Sequence, residues 1–400
     1  MNYKPLLYAF LLGSASVSCI REEAPNAEAD ITGCTLPGNV LIQDSIDVDV
    51  SYDESLNAYP IYVQVKKGTD CSQLAPTFTL TPGATIEPAS GSVQDFTSPV
   101  RYTVTSEDGQ WHRTYSISIE EEKVKEIPTT FHFEDTRTEN GYYVFYETSG
   151  TQELTWASGN GGFRLAINDA EPSEYPTTLE EKGFSGKCAK LVTRTTGSLG
   201  AMVGMPIAAG NLFIGKFNLS NALSNSLKAT QLGVEFYHKP LKLKGYYKYT
   251  PGNQFYENGG YTNRKDQFDI YAIFYENKDE NGQSVMLDGT LPLANFVHPN
   301  LVALAQYKDT QVLNTWQPFE MTFDYDRYGK SVDLDRLNAG DYNISIVISS
   351  SKDGATFEGA PGSTLWIDEM SIIYEEPRRM PMNKKWITCM MLDMAAEGVQ

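Results

Sequence analysis

The 400-residue chain is short of the side chains on which most enzyme chemistry depends. Its four histidines, His112, His132, His238 and His298, lie far apart, which argues against a planned histidine-metal site. Four of its five cysteines, Cys34, Cys71, Cys188 and Cys389, stand singly, and no C-x-x-C spacing offers zinc a thiolate cage. There is no P-loop, no G-x-G-x-x-G after a strand, no H-E-x-x-H and no G-x-S-x-G. Gly183-Phe184-Ser185-Gly186 and Gly197-Ser198-Leu199-Gly200 each miss the nucleophile elbow by one residue. Positive charge is scarce as well. With 32 Lys and Arg against 51 Asp and Glu, the net charge is -19, which disfavours nucleic acid and anionic membranes as partners because both need a basic face. Nucleotide binding is disfavoured on the same motif evidence.

What is present starts at the N-terminus. Lys4, an apolar run from Leu6 to Leu12 and the small residues Gly13 to Ser18 lead into Cys19, the pattern of a secretory signal. The run is too short to span a bilayer. We expect residues 1–18 to be a lipoprotein signal peptide, Cys19 to be lipidated, and residues 19–30 to form a tether. Ser16 stands where the usual lipobox has Leu. Ile20-Arg21-Glu22-Glu23 after the cut resembles the acidic patch carried by lipoproteins of one large group of Gram-negative bacteria, and that resemblance implies an outer-membrane lipoprotein at the cell surface, with the periplasmic face as the alternative. The lipid would be the only contact with the membrane.

Beyond the tether the pattern is period two. Ile46, Val48 and Val50 alternate with polar residues, as do Ile61, Val63 and Val65, and both stretches read as half-buried strands. Val100, Tyr102 and Val104 share a face in the next, and Trp111, Arg113, Tyr115, Ile117 and Ile119 in the one after, with a hairpin at Glu107 to Gln110. Residues 31–121 thus read as a small antiparallel sandwich, inside which export permits a Cys34–Cys71 disulfide. The charged run Glu120 to Pro128 marks a boundary. Strands are expected at Lys187 to Thr193, Leu212 to Phe217, Leu241 to Tyr249, Phe268 to Glu276, Tyr342 to Ser350 and Leu365 to Tyr374, with long polar loops at Thr250 to Lys265 and Asn277 to Leu301. The fold class is all-β: an immunoglobulin-like sandwich followed by a larger jelly-roll sandwich over 126–376. Residues 377–400, basic and Met-rich, read as a tail.

The chemistry left to an acidic, exported, Tyr-rich sandwich is that of carbohydrate. Rings stack on sugar faces while Asp, Asn, Gln and Arg bind hydroxyls. The candidates are Trp156 as a loop platform, Tyr247 and Tyr249 on one strand face, and Asp269, Tyr271 and Tyr275 on another, although aromatics at period two are also what a sheet core looks like. Glycoside hydrolysis needs two carboxyl groups, about 5.5 Å apart for retention and about 6.5–9.5 Å for inversion. Glu235, Asp269, Glu276, Asp324 and Asp326 are candidates by their place in or beside strands.

Leu80 to Ile86 and Tyr102 to Gly109 resemble the immunoglobulin-like modules that follow lipoprotein anchors. Phe131-His132-Phe133-Glu134-Asp135 and Leu365 to Met370 resemble the opening and closing segments of jelly-roll carbohydrate-binding modules, which implies a structural calcium held by Glu134 and Asp368. Trp156 to Phe163, Lys190 to Ser198, Leu243 to Tyr249 and Ser349 to Gly354 resemble the putative carbohydrate metabolism domain family over nearly all of Thr129 to Tyr374. That resemblance implies a lipoprotein that binds or processes glycans, and it carries no catalytic motif. The expected function is therefore glycan binding by the second domain, with the first as spacer. The alternatives are a glycoside hydrolase or lyase, which requires a cleft with two carboxyl groups, and an adhesion or scaffold protein with a flat apolar patch and no cleft.

Overall fold

The computed structural model describes residues 24–122, 124, 126–310, 312 and 314–375. The signal segment 1–18, Cys19 and the 377–400 tail lie outside the described residues. The chain divides into two compact units between Lys123 and Val124, and the architecture is nearly all-β, 11% helical against 42% strand. Among the described residues no helix is long and apolar enough to cross a membrane.

The first unit is a small β-sandwich. Ile31–Thr35 pairs with Thr77–Leu80, and a four-stranded sheet runs in the order Tyr59–Val65, His112–Glu121, Val100–Thr105, Thr85–Glu87. The alternation read from the sequence carries Ile61, Val63, Tyr102, Val104, Tyr115 and Ile117 into one core with Phe78. Three expectations change. Tyr59–Val65 pairs with His112–Glu121 in parallel, so the unit is not purely antiparallel. Ile46 to Val50 is not a strand; the Asp47 carboxylate accepts the Asp49 N–H at 3.0 Å, and such local side-chain bonds compete with a sheet ladder. Cys34 and Cys71 are free thiols. Cys34 is buried opposite Phe78, and burial pushes its thiol up to about 12, so its side chain serves as a small core hydrophobe.

The second unit is a larger sandwich of two antiparallel sheets. The first runs in the order Thr177–Glu180, Cys188–Val192, Thr364–Tyr374, Pro240–Thr250, Gln317–Thr322, with Thr130–Phe131 also pairing with Thr364–Tyr374. The second runs in the order Asn211–Phe213, Tyr342–Ser349, Asp269–Glu276, Leu301–Gln306. The core lies between them: Leu243, Tyr247, Tyr249, Leu365 and Ile367 from one sheet meet Ile270, Ala272, Phe274, Ile344, Ile346 and Ile348 from the other. Each Leu, Ile and Phe among these contributes roughly 1.5–3 kcal/mol by leaving water. The expected strands of this unit form close to their expected bounds. A break at Ile214 divides the expected Leu212 to Phe217 strand into Asn211–Phe213 and Gly215–Phe217. The expected polar loop at Thr250 to Lys265 contains a hairpin, Phe255–Glu257 with Gly260–Thr262, turned at Asn258 (φ 52°) and Gly259 (φ 82°), the Asn-Gly pair that tight hairpin turns favour.

Candidate functional site

Alternation along Asp269–Glu276 sends Ile270, Ala272 and Phe274 into the core. Asp269, Tyr271, Ile273 and Tyr275 therefore face outward from the second sheet. Near Tyr275 that outer face is covered, because Leu232, Leu287, Leu291 and Phe296 pack on Ile273, Tyr275, Leu301 and Leu304. At the Asp269 end the cover stops, and a pocket of about 400 Å³ remains. Its floor follows from register: Asn211 lies opposite Ser349 and Ser349 opposite Asp269, while Val347 lies opposite Tyr271 and Tyr271 opposite Gln306. Phe296, Arg327, Lys352 and Asp353 form the walls.

The wall carrying Lys352 and Asp353 is held by a buried polar knot. Asp266, 2% exposed, accepts hydrogen bonds from the hydroxyls of Ser351 (2.6 Å) and Ser363 (2.7 Å) and from the Ala360 N–H (2.8 Å). Thr193 joins through hydroxyl contacts to Ser350 at 2.7 Å and Ser351 at 2.5 Å. The Asn258-Gly259 hairpin buttresses the same loop, since Tyr256 and Gly359 bridge and Arg264 pairs with both Asp353 and Glu257.

The pocket holds two carboxyl groups in contrasting environments. Asp269 is 8% exposed. Burial pushes its carboxyl from 3.8 up to about 6, against the opposing pull of Lys352 and a hydrogen bond from Gln306, and the charge of Asp353 adds to the rise. Asp353 is ion-paired with Arg264. One acid that keeps its proton into the mildly acidic range beside one held by a cation is the asymmetry that proton-transfer chemistry on glycosides uses. A scaffold protein was expected to lack a cleft, and this unit has one.

Of the residues named from sequence, Asp269 and Tyr271 meet in this pocket. The others do not. Tyr275 is fully buried, its hydroxyl donating to the Leu232 carbonyl at 2.6 Å and accepting from the Asn343 amide at 3.0 Å. Tyr247 and Tyr249 are core residues packed on Phe268. Trp156 is not a loop platform: at 2% exposure it packs edge-on against Phe131 and tilted against Phe133. Trp156→Ala is accordingly expected to cost about 3–5 kcal/mol in chemical denaturation; a loss below 1 kcal/mol would contradict this placement. Glu276 is clamped between Lys330 (2.7 Å) and Arg336 (2.5 Å). Glu235 accepts from the Tyr237 hydroxyl at 2.9 Å, and Asp324 from the Arg327 N–H at 3.0 Å. Both are exposed, as is Asp326, and none of these four acids lines the pocket.

The outward aromatics lie on the first sheet, one residue out of phase with those expected. Tyr246 stacks on Phe184 at 3.7 Å, with Trp316 edge-on to Phe184 at 6.1 Å. The Lys248 ammonium sits 4.2 Å from the Trp366 ring centroid and 5.6 Å from that of Trp316. Phe184 is 46% exposed.

Glu134 and Asp368 do come together, on either side of the turn 183–187. The Asp368 carboxylate accepts from the N–H groups of Phe184 (2.8 Å), Ser185 (3.0 Å) and Glu369 (2.8 Å), and Glu134 accepts from the Lys187 N–H at 3.0 Å. Gly186, at φ +57°, has no room for a Cβ, which would fall 1.9 Å from Glu134 Oε1. Four backbone N–H groups thus hold the two carboxylates in place, an arrangement that steadies them independently of the calcium expected between them. A metal chelator is expected to leave the melting temperature unchanged, and a drop of several degrees restored by calcium would overturn that assignment.

The family model described as the putative carbohydrate metabolism domain matches residues 132–373. The chain belongs to that family. A second model, described as SGBP, N-terminal, matches residues 45–119. Among solved structures, the chain is similar to a putative glycoside hydrolase from Bacteroides thetaiotaomicron (47% identity, 89% of this chain and 100% of that one, TM-score 0.60). It is also similar to a putative glycoside hydrolase from Bacteroides vulgatus (50% identity, 63% of this chain and 100% of that one, TM-score 0.60). No curated protein matches the chain. In this member of the putative carbohydrate metabolism domain family, three of the four stretches that carried the resemblance lie at or beside the pocket, and the fourth, Leu243 to Tyr249, lies in the first sheet away from it. Asn211 receives the Gly159 N–H at 2.7 Å, Thr193 contacts Ser350 and Ser351, and Ser349 to Gly354 contributes floor and wall.

Proposed function

We propose that the second unit hydrolyses glycosides in the Asp269 pocket, with Asp269 as the general acid and Asp353 as the second carboxylate. The observation that carries this reading is a buried acid with a raised pKa at the open end of an otherwise covered sheet, in a pocket that also holds an ion-paired carboxylate. Tyr271, Gln306, Arg327 and Lys352 would then orient hydroxyls around the scissile bond. The similarity to the two Bacteroides proteins supports the reaction class. Export on a lipidated Cys19, with the first unit as spacer, supplies the setting: the outer membrane, facing the surface.

A second reading has its own observation. The rings of Phe184, Tyr246, Trp316 and Trp366 stand outward on the other sheet, as rings that stack on sugar faces do, and they support retention of glycans without cleavage. One experiment separates the two. The purified chain is incubated with a broad panel of polysaccharides and oligosaccharides, scoring both binding and released sugars, beside Asp269→Asn and Trp366→Ala. Cleavage lost in Asp269→Asn supports the first reading. Binding without cleavage, lost in Trp366→Ala, supports the second. No binding and no cleavage by wild type across the panel rejects both.

A further inference from the structure

The acid pocket does not end at its polar walls. Ala209, Asn211, Thr230, Gly289, Gly354 and Ala355 line it and also line a second cavity of about 290 Å³, so the two cavities adjoin across these mostly small side chains. Their chemistry differs sharply. The second compartment is walled by Phe163, Leu199, Ile207, Phe217, Leu223 and Phe357, and no charged side chain lines it. Two of its few polar groups are already engaged: the Thr196 hydroxyl donates to the Met205 carbonyl at 2.5 Å, and Asn211 Oδ1 accepts the Gly159 N–H at 2.7 Å. A sugar ring moved there would shed its water with few partners to replace it, which is costly for each hydroxyl. An apolar group would gain.

The rim points the same way. Leu199 is 46% exposed, Val203 50% and Leu223 63%, and they lie together around the opening. Exposed apolar clusters of this kind mark interaction sites on secreted proteins. Because the apolar compartment adjoins the acid-bearing one, a single ligand spanning both has to be amphiphilic. We infer that the substrate is a glycan carrying an apolar aryl or acyl substituent, whose sugar lies against Asp269 while the substituent fills the Phe163–Leu199–Phe217 compartment. The inference rests on the Asp269 pocket being the glycan site. The size agrees: a cavity of roughly 150 Å³ accommodates benzene, so this one takes a bicyclic aryl group or a medium-length acyl chain.

The test is calorimetric binding, which does not depend on cleavage, so it stays readable if the hydrolysis reading fails. The full chain is titrated with methyl, phenyl and octyl glycosides of a panel of monosaccharides, and with an octyl zwitterionic detergent that has no sugar. For at least one sugar, the phenyl or octyl glycoside is expected to bind roughly thirtyfold or more tightly than the methyl glycoside, since each buried methylene is worth about fourfold. A phenyl preference identifies an aryl substituent and an octyl preference an acyl-like one. Leu199→Asp, or Val203→Asp if the first variant is poorly folded by circular dichroism, is expected to bring that ratio near one. The inference is overturned if methyl and apolar glycosides bind alike throughout the panel, or if the sugar-free detergent binds as tightly as the best glycoside. It is equally overturned if both rim variants fold and keep the full ratio.

Discussion

Asp269→Asn is expected to lower kcat/KM for glycoside hydrolysis by about 10²–10⁴-fold, the usual worth of a positioned general acid, while leaving the protein as stable as before or more so at pH 7. The two effects share one cause. Burial lifts the Asp269 carboxyl from 3.8 to about 6, so the folded protein holds this proton more tightly than the unfolded chain does. Its contribution to stability is complete below about pH 4 and is lost as the pH rises through about 6. Above that, an ionised carboxylate sits in a site that disfavours it, at a cost of about 2–3 kcal/mol. Asparagine removes that cost and the catalytic proton together. Wild-type activity is expected to fall about tenfold per pH unit above pH 6, because only protonated Asp269 donates. Denaturant titrations and pH–rate profiles of both proteins check this, and a variant with full activity, or with several kcal/mol lost at pH 7, would remove Asp269 from its role.

Asp266→Ala is expected to be the most damaging single change near the site. Burial pushes the Asp266 carboxyl above its usual range, and hydrogen bonds from two hydroxyls and two N–H groups pull the other way. Truncation leaves Ser351, Ser363 and Ala360 with donors facing an apolar gap, at about 1–3 kcal/mol each. With partial rescue by entering water, the net loss is about 4 kcal/mol, or about 10 °C in melting temperature for a unit of this size. Asp266→Asn keeps one acceptor and is expected to lose about half as much. Because the knot carries the loop bearing Lys352 and Asp353, Asp266→Ala is also expected to abolish glycan binding at temperatures where the unit remains folded. Calorimetry on both variants checks the order of effects, and equal losses would mean that the acceptor is not what holds the loop.

These expectations show how much of the site was readable from the chain alone. The six expected segments of the second unit all form strands of its two main sheets, and alternation put Asp269 and Tyr271 on one face, but Thr177–Glu180, Leu301–Gln306 and Gln317–Thr322 went unread. What alternation cannot supply is which of two faces a partner sheet will cover. Along Leu243 to Tyr249 both faces carry tyrosine, and the expectation fell on Tyr247 and Tyr249, which are core, rather than on Tyr246 and its neighbour Lys248. Trp156 was misplaced for a related reason: a glycine-rich neighbourhood reads as loop, yet the residues after it form the short helix Asn160–Ala166 and the indole turns inward. Asp353 stood within a recognised stretch but had no assigned role, because its partner Arg264 lies 89 residues earlier. The Asn258-Gly259 turn that brings Arg264 there is a local signal, and it was legible though unread. The contact of Asp266 with Ser351, Ala360 and Ser363, by contrast, spans 85 to 97 residues, and no local pattern encodes it.

Among the described residues the strand Thr364–Tyr374 is the last of its unit, yet it sits inside the first sheet, between Cys188–Val192 and Pro240–Thr250, and also receives Thr130–Phe131. Until it has been synthesised, the sheet exists only as two unjoined halves with open edges. Folding of the unit therefore has to wait for almost its entire chain and to close loops of more than two hundred residues, which makes it slow.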